Sequence, residues 1–314
     1  MIKNTLWVEK YRPQAIDDCI LPDDIKKSFN AFLDQNDLPN MILTGKPGMG
    51  KTTIAKALCN QLACDVMVIN GSDEGRTIET LREKLKSFAS TVSLSGGRKV
   101  IIIDEADYMN AQSVQPALRN FMEDFSANCR FILTCNYKAK IIDPLISRCT
   151  VFEFNIPSSQ KSKLAAQLMK RITNILETEG VNFDKKVVAE VIMKFYPDFR
   201  KTISEFQRYA IQNGSIDVGI LASIQDISIK ELVGFLKERD FGGIRKWVNE
   251  NLDNDATEVI RVLFDNLENY LEPASIPQII VHLAEYSYRS AFVADQEINL
   301  TAMLLHISAD SVWR

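Results

Sequence analysis

Eight residues near the start of the chain have the types and the spacing of a phosphate-binding loop. Gly45 to Thr52 fits the pattern G-x-x-x-x-G-K-T, and Thr53 follows it. Glycines in such a loop let backbone N–H groups turn toward phosphate oxygens, and the helix that follows adds a partial positive charge. We therefore expect Lys51 to reach the β- and γ-phosphates of a nucleoside triphosphate and Thr52 to bind Mg²⁺.

Two acidic residues supply the second part of this candidate site. Four β-branched residues, Val100 to Ile103, precede Asp104 and Glu105. Such a run predicts a buried strand of a parallel sheet, and open α/β sheets bind ligands at the carboxyl ends of their strands. We expect Asp104 to belong to the Mg²⁺ shell and Glu105 to polarise the water that attacks the γ-phosphate in line. The alternative is a strand that simply ends in an acidic turn.

Two polar residues further along the chain are candidates for the same chemistry. Asn136 ends the apolar run that begins at Phe131, where it would orient the attacking water or sense the γ-phosphate. Arg148 lies in a mostly apolar segment, Ile141 to Cys149. A single arginine in such a segment is either a surface salt bridge or an arginine finger that reaches the γ-phosphate of a neighbouring subunit.

Other residues have types suited to a purine or to nucleic acid. A purine needs flat apolar walls, which three residues before the loop offer: Val8, Tyr11 and Ile20. A helix predicted from about Ile78 to Ala89 carries cations such as Arg82, which form either a solvated face or a nucleic-acid contact. Arg76, at the entrance of this helix, is the better candidate for a phosphate contact.

The elements that must position these residues follow from the apolar pattern. Four short apolar runs alternate with helical segments up to about residue 155, which predicts a parallel α/β sheet. The runs are 41–44, 66–69, 100–103 and 131–135. From residue 157 the apolar period is helical, and Asp198 is a suitable N-cap that places Arg200 in the first turn of a helix.

Beyond about residue 224 every segment has a helical period. A capping box at 255–258 precedes one apolar stripe, formed by Ile260, Leu263, Phe264, Leu267 and Leu271. A second stripe is formed by Ile276, Ile279, Ile280, Leu283 and Ala284. Such stripes pack against each other or against other subunits. We expect three domains, with boundaries 1–156, 157–223 and 224–314.

Composition narrows the class of protein. A formal net charge of −4 over 314 residues argues against a protein that coats nucleic acid non-specifically. The six cysteines show no C-x-x-C pair, so we expect reduced thiols rather than a zinc site or a disulfide framework. The two histidines, His282 and His306, lie far from the motifs and are interpreted as packing residues. Neither a bilayer-spanning run nor a signal peptide is indicated, which predicts a cytoplasmic location and no membrane partner.

With these residues in place, the chain resembles the AAA+ ATPase subunits of sliding-clamp loaders over nearly its whole length. The resemblance includes the small subunits of replication factor C and the ATPase large subunit of the clamp loader of T-even-type phages. The motifs that occur in the order of the family are Trp7 to Pro13, Asn70 to Glu74, Asp104 to Asp107, Gln115 to Arg119, Asn136, and Ser147-Arg148-Cys149. The last is the most specific, because it separates clamp loaders from most other AAA+ proteins.

The resemblance implies a role for each matching residue, with ATP and Mg²⁺ as the ligands. Adenine and ribose contacts would come from Val8, Glu9, Lys10, Tyr11 and Ile20. Phosphate contacts would come from Gly48, Met49, Gly50, Lys51, Thr52 and Thr53. Arg200 would act in cis from the lid, Arg148 in trans, and Gln115 would couple ATP sites to DNA-binding helices. Arg76, Arg82 and Arg119 would contact DNA or take part in this coupling. Pro116 departs from the family motif, and 75–79 matches it only approximately.

The resemblance also implies an architecture and a function. The expected fold is an AAA+ P-loop NTPase domain with a parallel sheet, followed by a helical lid and an all-α collar. ATP binding would make a ring or spiral, such as a hetero-pentamer with other loader subunits, grip a sliding clamp and primer-template DNA. Hydrolysis would release the closed clamp on DNA, in the host cytoplasm if the protein is phage-encoded. The alternatives are another AAA+ DNA machine, such as a branch-migration motor or a helicase loader, or a non-catalytic scaffold subunit of a loader.

Overall fold

The computed structural model describes residues 6–73, 78–91, 98–223, 229–251, 256–290 and 292–314. The chain divides into two compact units, Met1–Leu221 and Ala222–Arg314. The domain boundary expected between 223 and 224 lies two residues from this division. The boundary expected between 156 and 157 falls inside the first unit, so the division into three domains stays a prediction.

A five-stranded parallel sheet forms the centre of the first unit. Its strands are β1 (Met41–Thr44), β2 (Asp65–Asn70), β3 (Lys99–Asp104), β4 (Cys129–Cys135) and β5 (Thr150–Glu153). Their order in the sheet is β2-β3-β4-β1-β5. Thr44 pairs with Cys135 on one side and with Glu153 on the other, so the carboxyl ends of the central strands share one edge. The predicted parallel α/β sheet is confirmed.

Both faces of this sheet are covered, and α-helices precede and connect its strands. They are α1 (Trp7–Lys10), α2 (Asp23–Gln35), α3 (Lys51–Gln61), α4 (Ile78–Ser90), α5 (Val114–Asp124) and α6 (Asp143–Ile146). Successive residues of a strand point to opposite faces. Leu43 accordingly packs in one core with Phe29 and Leu58, whereas Ile42 packs in a second core with Leu118 and Phe131. Both faces of β1 are therefore fully buried.

The segment after β5 is mainly helical. It contains α7 (Ser158–Thr178), α8 (Lys185–Phe195), α9 (Phe199–Asn213) and α10 (Gly219–Ser223). The sequence did not predict β6 (Asn182–Phe183) and β7 (Ser215–Ile216), which pair in parallel. Strands of two residues are too short to show an alternating apolar pattern.

The second unit is helical in its described parts, as expected. Its helices are α11 (Ile229–Glu238), α12 (Phe241–Asn251), α13 (Ala256–Tyr270), α14 (Ile276–Ser290) and α15 (Gln296–Asp310). They enclose one apolar core that contains the fully buried Trp247. The expected capping box begins at Asp255, which lies outside the described residues.

The two expected stripes match this core in part. Leu263, Leu267 and Leu271 of the first stripe are buried, but Phe264 is exposed. In the second stripe, Ile280 and Ala284 are likewise exposed. These three residues flank the buried line of each helix, so an apolar residue at helical spacing was too broad a criterion for burial.

Both histidines lie on helices of the second unit. His282 is buried, as a packing residue would be. Its Nε2 lies 2.6 Å from the Asp310 carboxylate. His306 is exposed, although its ring contacts those of His282 and Tyr286. Within the described ranges, no helix combines the length and the apolar character that crossing a membrane requires.

Candidate functional site

The glycine-rich loop connects β1 to α3 at the edge of the sheet where the strands end. α3 begins at Lys51, so Lys51 and Thr52 belong to its first turn. Gly48 and Gly50 have φ angles of 75° and 84°, in the left-handed region that favours glycine. The sequence prediction of a loop between a strand and a helix is confirmed, and the loop's N–H groups lie at the helix N-terminus, where anions bind.

Lys51 is held inside this loop. Its side chain is largely buried, and Nζ donates hydrogen bonds to Gly45 O at 2.7 Å, Lys46 O at 2.9 Å and Asn136 Oδ1 at 2.9 Å. Burial lowers the pKa of the ammonium group, because the charged form is less well solvated there. The structure thus brings together Lys51 and Asn136, two of the residues that the sequence singled out.

Asp104 and Glu105 are connected to the loop through hydroxyl groups. Thr52 Oγ1 donates to Asp104 Oδ1 at 2.6 Å, and Thr134 Oγ1 donates to the same oxygen at 2.5 Å. The backbone N–H of Glu105 donates to Thr134 Oγ1 at 3.1 Å. Sequence reasoning gave no role to Thr134, although a hydroxyl residue in the apolar run of β4 was a visible signal.

The donor set around Asp104 fits a magnesium ion. A threonine hydroxyl and a carboxylate are hard oxygen ligands, and Mg²⁺ in nucleotide sites commonly takes one or two carboxylates together with phosphate oxygens and water. Across the described residues, no group of three or more His, Cys, Asp or Glu side chains forms a cage for a metal. The geometry therefore suits Mg²⁺ held jointly with a triphosphate rather than by protein alone.

One cavity collects most of the predicted phosphate and catalytic residues. It is lined by Pro47, Gly48, Gly50, Lys51, Thr52, Thr53, Asp104, Glu105, Thr134, Cys135, Asn136 and Arg200. Lysine, backbone N–H groups and an arginine provide positive charge for phosphate, while the carboxylates face the same space. Such an arrangement can bind a triphosphate and activate a water molecule beside it.

A second, more apolar cavity adjoins the first through shared residues of the loop. Its lining includes Val8, Tyr11, Ile20, Met49, Gly50, Thr53, Phe199, Arg200 and Ile203. The N-terminal segment that forms one wall is fastened to the helices after β5. The Trp7 N–H donates to Gln207 Oε1 at 2.9 Å, and Tyr11 Oη donates to Glu179 Oε1 at 2.6 Å. Flat apolar walls next to a phosphate site suit a purine base.

Glu9 and Lys10, also expected at the base, do not line this cavity. Glu9 forms an ion pair with Arg12, and Lys10 Nζ lies 2.7 Å from Glu179 Oε1. The hydrogen bond from Lys10, followed by that from Tyr11, lowers the pKa of Glu179. The side chains of Glu9 and Lys10 thus stabilise the N-terminal segment through ion pairs, and neither lines the cavity.

The first turn of α9 meets the phosphate loop. Asp198 is its N-cap, as predicted, and Asp198 Oδ1 accepts from the Lys201 N–H at 2.8 Å. The Phe199 N–H donates to Gly48 O at 3.1 Å, and a Cβ atom at Gly48 would lie 1.8 Å from Asp198 Oδ1. Arg200 follows directly and lines both cavities. The structure therefore places Arg200 beside the phosphate loop, and the cis-acting role that the resemblance implies for it stays a prediction.

Arg148 lies outside both cavities of its own chain. It is exposed after α6, where Nε donates to Glu123 Oε1 at 2.8 Å and Nη1 donates to Pro144 O at 2.8 Å. Its side chain makes a surface ion pair with Glu123 and does not line the phosphate cavity of its own chain. Both interpretations from the sequence, salt bridge and trans-acting finger, are consistent with this position.

The residues predicted to couple ATP sites to DNA differ in their burial and hydrogen bonding. Gln115 is fully buried, its Nε2 donates to Lys140 O at 2.9 Å, and its Oε1 accepts from the Ile142 N–H at 2.9 Å. Arg119 is half-buried, and its Nε has no hydrogen-bond partner among the described residues. Arg82 is exposed on α4, while Arg76 lies outside the described residues. Contacts with DNA stay a prediction for these side chains.

Pro116 was noted as a departure from the family motif, but α5 continues through it. Because α5 begins at Val114, the proline lies in the first helical turn. The N–H groups of a first turn have no partner within the helix, so a residue without an N–H is tolerated there.

Comparison with known proteins identifies two matching family models. Residues 41–158 match the model described as "ATPase family associated with various cellular activities (AAA)". Residues 160–222 match "Sliding-clamp-loader large subunit, AAA+ ATPase lid domain". The two models together span the sheet and the helices from α3 to α10, whose last residue lies just beyond them.

Two relatives are similar to this chain over nearly its whole length. The sliding-clamp-loader large subunit of Enterobacteria phage T4 is 35% identical over 317 residues, covering 99% of this chain and 98% of that protein. The replication factor C small subunit of Natronomonas pharaonis is 33% identical, covering 95% and 94%. A solved RuvB variant of Thermotoga maritima has a TM-score of 0.57 at 18% identity, covering 76% of this chain and 84% of that chain, which shows likeness of fold alone.

Proposed function

Because this chain belongs to the sliding-clamp-loader family of AAA ATPases and is an ATP-hydrolysing subunit of such a loader, we propose how its residues bind and hydrolyse ATP. The observation that carries the proposal is the connected set of Lys51, Thr52, Asp104 and Asn136 beside one cavity. Lys51 and Thr52 come from the first turn of α3, Asp104 ends β3, and Asn136 follows β4. Their convergence at one edge of the sheet supplies positive charge and oxygen ligands together.

The nucleotide would occupy both cavities. The adenine would lie between Val8, Tyr11 and Ile20, and the phosphates would accept hydrogen bonds from the backbone of 48–53. Lys51 Nζ would exchange its carbonyl acceptors for β- and γ-phosphate oxygens. Thr52 and Asp104 would hold Mg²⁺, which supplies charge neutralisation at the phosphates.

Hydrolysis requires a water molecule in line with the γ-phosphate. Glu105 would accept a proton from this water, and Asn136, with its amide oxygen held by Lys51, would direct its N–H₂ group toward the water or the γ-phosphate. Arg200 would reach the phosphates in cis, since it lines the same cavity. Arg148 would approach the γ-phosphate bound by a neighbouring subunit.

The proposed function of ATP binding and hydrolysis depends on assembly with other subunits. We propose that the chain forms a ring or spiral hetero-pentamer with other loader subunits, and that the ATP-bound form grips a sliding clamp and primer-template DNA. Hydrolysis would release the closed clamp on the DNA. The full-length similarity to loader subunits supports this over a branch-migration motor, because the likeness to RuvB concerns the fold alone.

The decisive experiment measures ATP hydrolysis with and without primed DNA and a candidate clamp. We expect the assembled protein to be stimulated by both, and Glu105→Gln to bind ATP while losing about a hundredfold or more of the rate. Glu190→Gln, an exposed position on α8, is the matched control. An unchanged rate in Glu105→Gln would favour the scaffold alternative, and strand displacement without a clamp would favour a motor.

The trans role of Arg148 is tested by mixing variants. Lys51→Ala removes the phosphate-binding lysine of one chain, and Arg148→Ala removes the finger of another. If Arg148 acts across the interface, an assembly containing both variants should regain part of the activity that neither has alone. Strong hydrolysis by an isolated monomer that is unchanged by Arg148→Ala would contradict the trans assignment.

A further inference from the structure

One face of α5 carries three polar residues spaced four apart. Gln115, Arg119 and Glu123 follow one another at helical spacing and therefore lie along one side of the helix. Glu123 has no assigned role in ATP hydrolysis. Two of these residues, Gln115 and Glu123, contact the segment that leads to Arg148.

The first contact lies before α6. Gln115 is fully buried; its amide Nε2 donates to Lys140 O, and its amide oxygen accepts from the N–H of Ile142, the residue that precedes α6. Leu118 of α5 and Leu145 of α6 belong to the same buried core. The start of the segment that carries Arg148 is therefore fixed to α5 by hydrogen bonds and by apolar packing.

The second contact lies after α6 and involves the guanidinium itself. Arg148 donates from both Nε and Nη2 to Glu123 Oε1, with the Nε contact at 2.8 Å, while Nη1 donates to Pro144 O at 2.8 Å. A guanidinium has five N–H donors in one plane. Nη1 also donates to Ser147 Oγ at 3.4 Å. Side-on contact through Nε and Nη2 therefore defines the plane of the guanidinium and leaves one N–H of Nη2, on the outer edge, for another acceptor.

The charge of Glu123 is maintained by its neighbours. The hydrogen bond and charge of Arg148, with a smaller contribution from Arg119, hold the pKa of Glu123 below its usual range. Glu123 is therefore a carboxylate at neutral pH. A neutral glutamine at this position would keep one acceptor oxygen but lose the negative charge that strengthens both hydrogen bonds from the guanidinium.

We propose that Glu123 is a positioning residue for ATP hydrolysis, which orients Arg148 on α5 so that its outer edge meets the γ-phosphate bound by a neighbouring subunit. The proposal rests on the proposed trans role of Arg148. α5 then holds the finger at two points, and a shift of α5 moves the finger with it.

Two magnitudes indicate that Glu123 orients Arg148 and does not hold it away from a triphosphate. An exposed ion pair is weak, whereas an arginine finger accelerates phosphoryl transfer by about 10³ to 10⁵. The pair with Glu123 is thus too weak to keep Arg148 away from a triphosphate. What Glu123 changes is the fraction of time that the long, flexible arginine spends in a useful orientation, and a change of about two- to fivefold in kcat follows.

The test uses the loader assembled with its partner subunits, primed DNA and clamp. Glu123→Gln is compared with Asp124→Asn, which removes the same charge at the neighbouring exposed position of α5. We expect Glu123→Gln to lower kcat about two- to fivefold with an unchanged KM for ATP, while Asp124→Asn behaves as the natural protein. Glu123→Asp, which keeps the charge, should recover part of kcat and serves as the second variant.

A double-mutant cycle completes the test. In the Arg148→Ala background, Glu123→Gln should cause no further loss, because its effect passes through the arginine. Equal kcat in Glu123→Gln and Asp124→Asn, a higher kcat in Glu123→Gln, or a further loss in the Arg148→Ala background would each overturn the positioning role. If Arg148→Ala itself leaves kcat unchanged, the trans assignment fails, and this result is distinct from those of the Glu123 variants.

Discussion

At the scale of single residues, the hydroxyl of Thr134 connects the two acidic groups of the site. It donates to Asp104 Oδ1 and accepts from the backbone N–H of Glu105. Thr134 is 1% exposed, so water cannot replace either bond readily. Glu105 also has a φ angle of 56°, a left-handed conformation that a residue with a side chain rarely adopts. The hydroxyl therefore stabilises an unfavourable backbone turn, and it also fixes the Asp104 carboxylate, which we propose binds Mg²⁺.

We predict that Thr134→Val lowers both stability and activity. Valine has nearly the same shape but leaves the partly buried Glu105 N–H without its partner, which costs about 1 kcal/mol of unfolding free energy. The ATPase rate should fall, and half-maximal activity should require a higher Mg²⁺ concentration, because Asp104 loses one of its two hydroxyl donors. Denaturant unfolding and ATPase titrations with Mg²⁺ measure the two effects.

Thr134→Ser is the control for this change. Serine keeps the hydroxyl, so it should retain the Mg²⁺ dependence of the natural protein. A Thr134→Val protein with the natural unfolding free energy and the natural Mg²⁺ dependence would contradict the role given to this hydroxyl.

Sequence could predict the residues of the site whose chemistry has a fixed spacing. Lys51 and Thr52 follow from the loop motif, and Asp104 follows from a strand that ends in acids. Thr134 could not be assigned a role, because its importance arises from a register in which β4 lies beside β3. Glu9 and Lys10 were assigned to the base by resemblance, but a side chain's direction depends on contacts with Arg12 and Glu179 that no local pattern encodes.

At the scale of elements, the N-terminus of α9 is the link between the lid and the phosphate loop. We predict that Asp198→Ala costs about 0.5–2 kcal/mol of stability, the usual loss for an N-cap, and also weakens ATP binding. The second effect arises because Asp198 and Phe199 contact Gly48, and Arg200 follows in the same turn. Thermal unfolding and nucleotide titration measure the two losses.

A second N-cap in the same segment gives the matched control. Asp184 caps α8 in the same way, with the Lys186 N–H donating to its Oδ1 at 2.8 Å, but it has no contact with the phosphate loop. Asp184→Ala should lose similar stability and keep its ATP affinity. If both variants weaken ATP binding equally, the link between α9 and the loop has no special role.

The segment around α1 should loosen in acid. The pKa of Glu179 is depressed in the folded protein by Lys10 and Tyr11, so its stabilising contribution is present above the ordinary carboxyl value of 4.5 and is lost as the pH falls through the lower folded value. We predict that Glu179→Gln melts below the natural protein at pH 7 and that the difference shrinks below about pH 4.5. Melting curves from pH 3 to 7.5 measure it, and a difference independent of pH would contradict the assignment.

Strands were predictable where both of their faces are buried over several consecutive residues. β1, β3 and β4 are continuous apolar runs because both faces of the sheet are covered, and such runs are visible without a structure. The exposed Phe264 and Ile280 show the limit of this reasoning. An amphipathic helix in a small bundle buries a narrow line, and apolar residues beside that line look the same in the sequence.

At the scale of the whole molecule, the residues that line both nucleotide cavities belong to the first unit. The second unit has its own buried core around Trp247. We predict that a protein ending at residue 221 binds ATP with the affinity of the full chain but shows no stimulation by primed DNA and clamp, since the helices expected to assemble the ring are missing. Nucleotide titration, ATPase assays and sedimentation measure these properties.

The full chain with Trp247→Ala serves as the companion variant. Removal of a fully buried tryptophan destabilises its core by about 3–5 kcal/mol, so the second unit should melt early while nucleotide still binds. A loss of ATP affinity in the shortened protein would mean that the second unit contributes to the nucleotide site after all.

The order of the strands also has a consequence for how the chain is made. β1, which carries the phosphate loop, leaves the ribosome early, yet Met41 pairs with Ile132 of β4 and with Thr150 of β5. Pairing between strands so distant in the chain is slow and must await their synthesis. A nascent chain that has not yet reached residue 153 therefore carries the loop sequence without both strands that flank β1, and we expect nucleotide binding to await translation of the sheet.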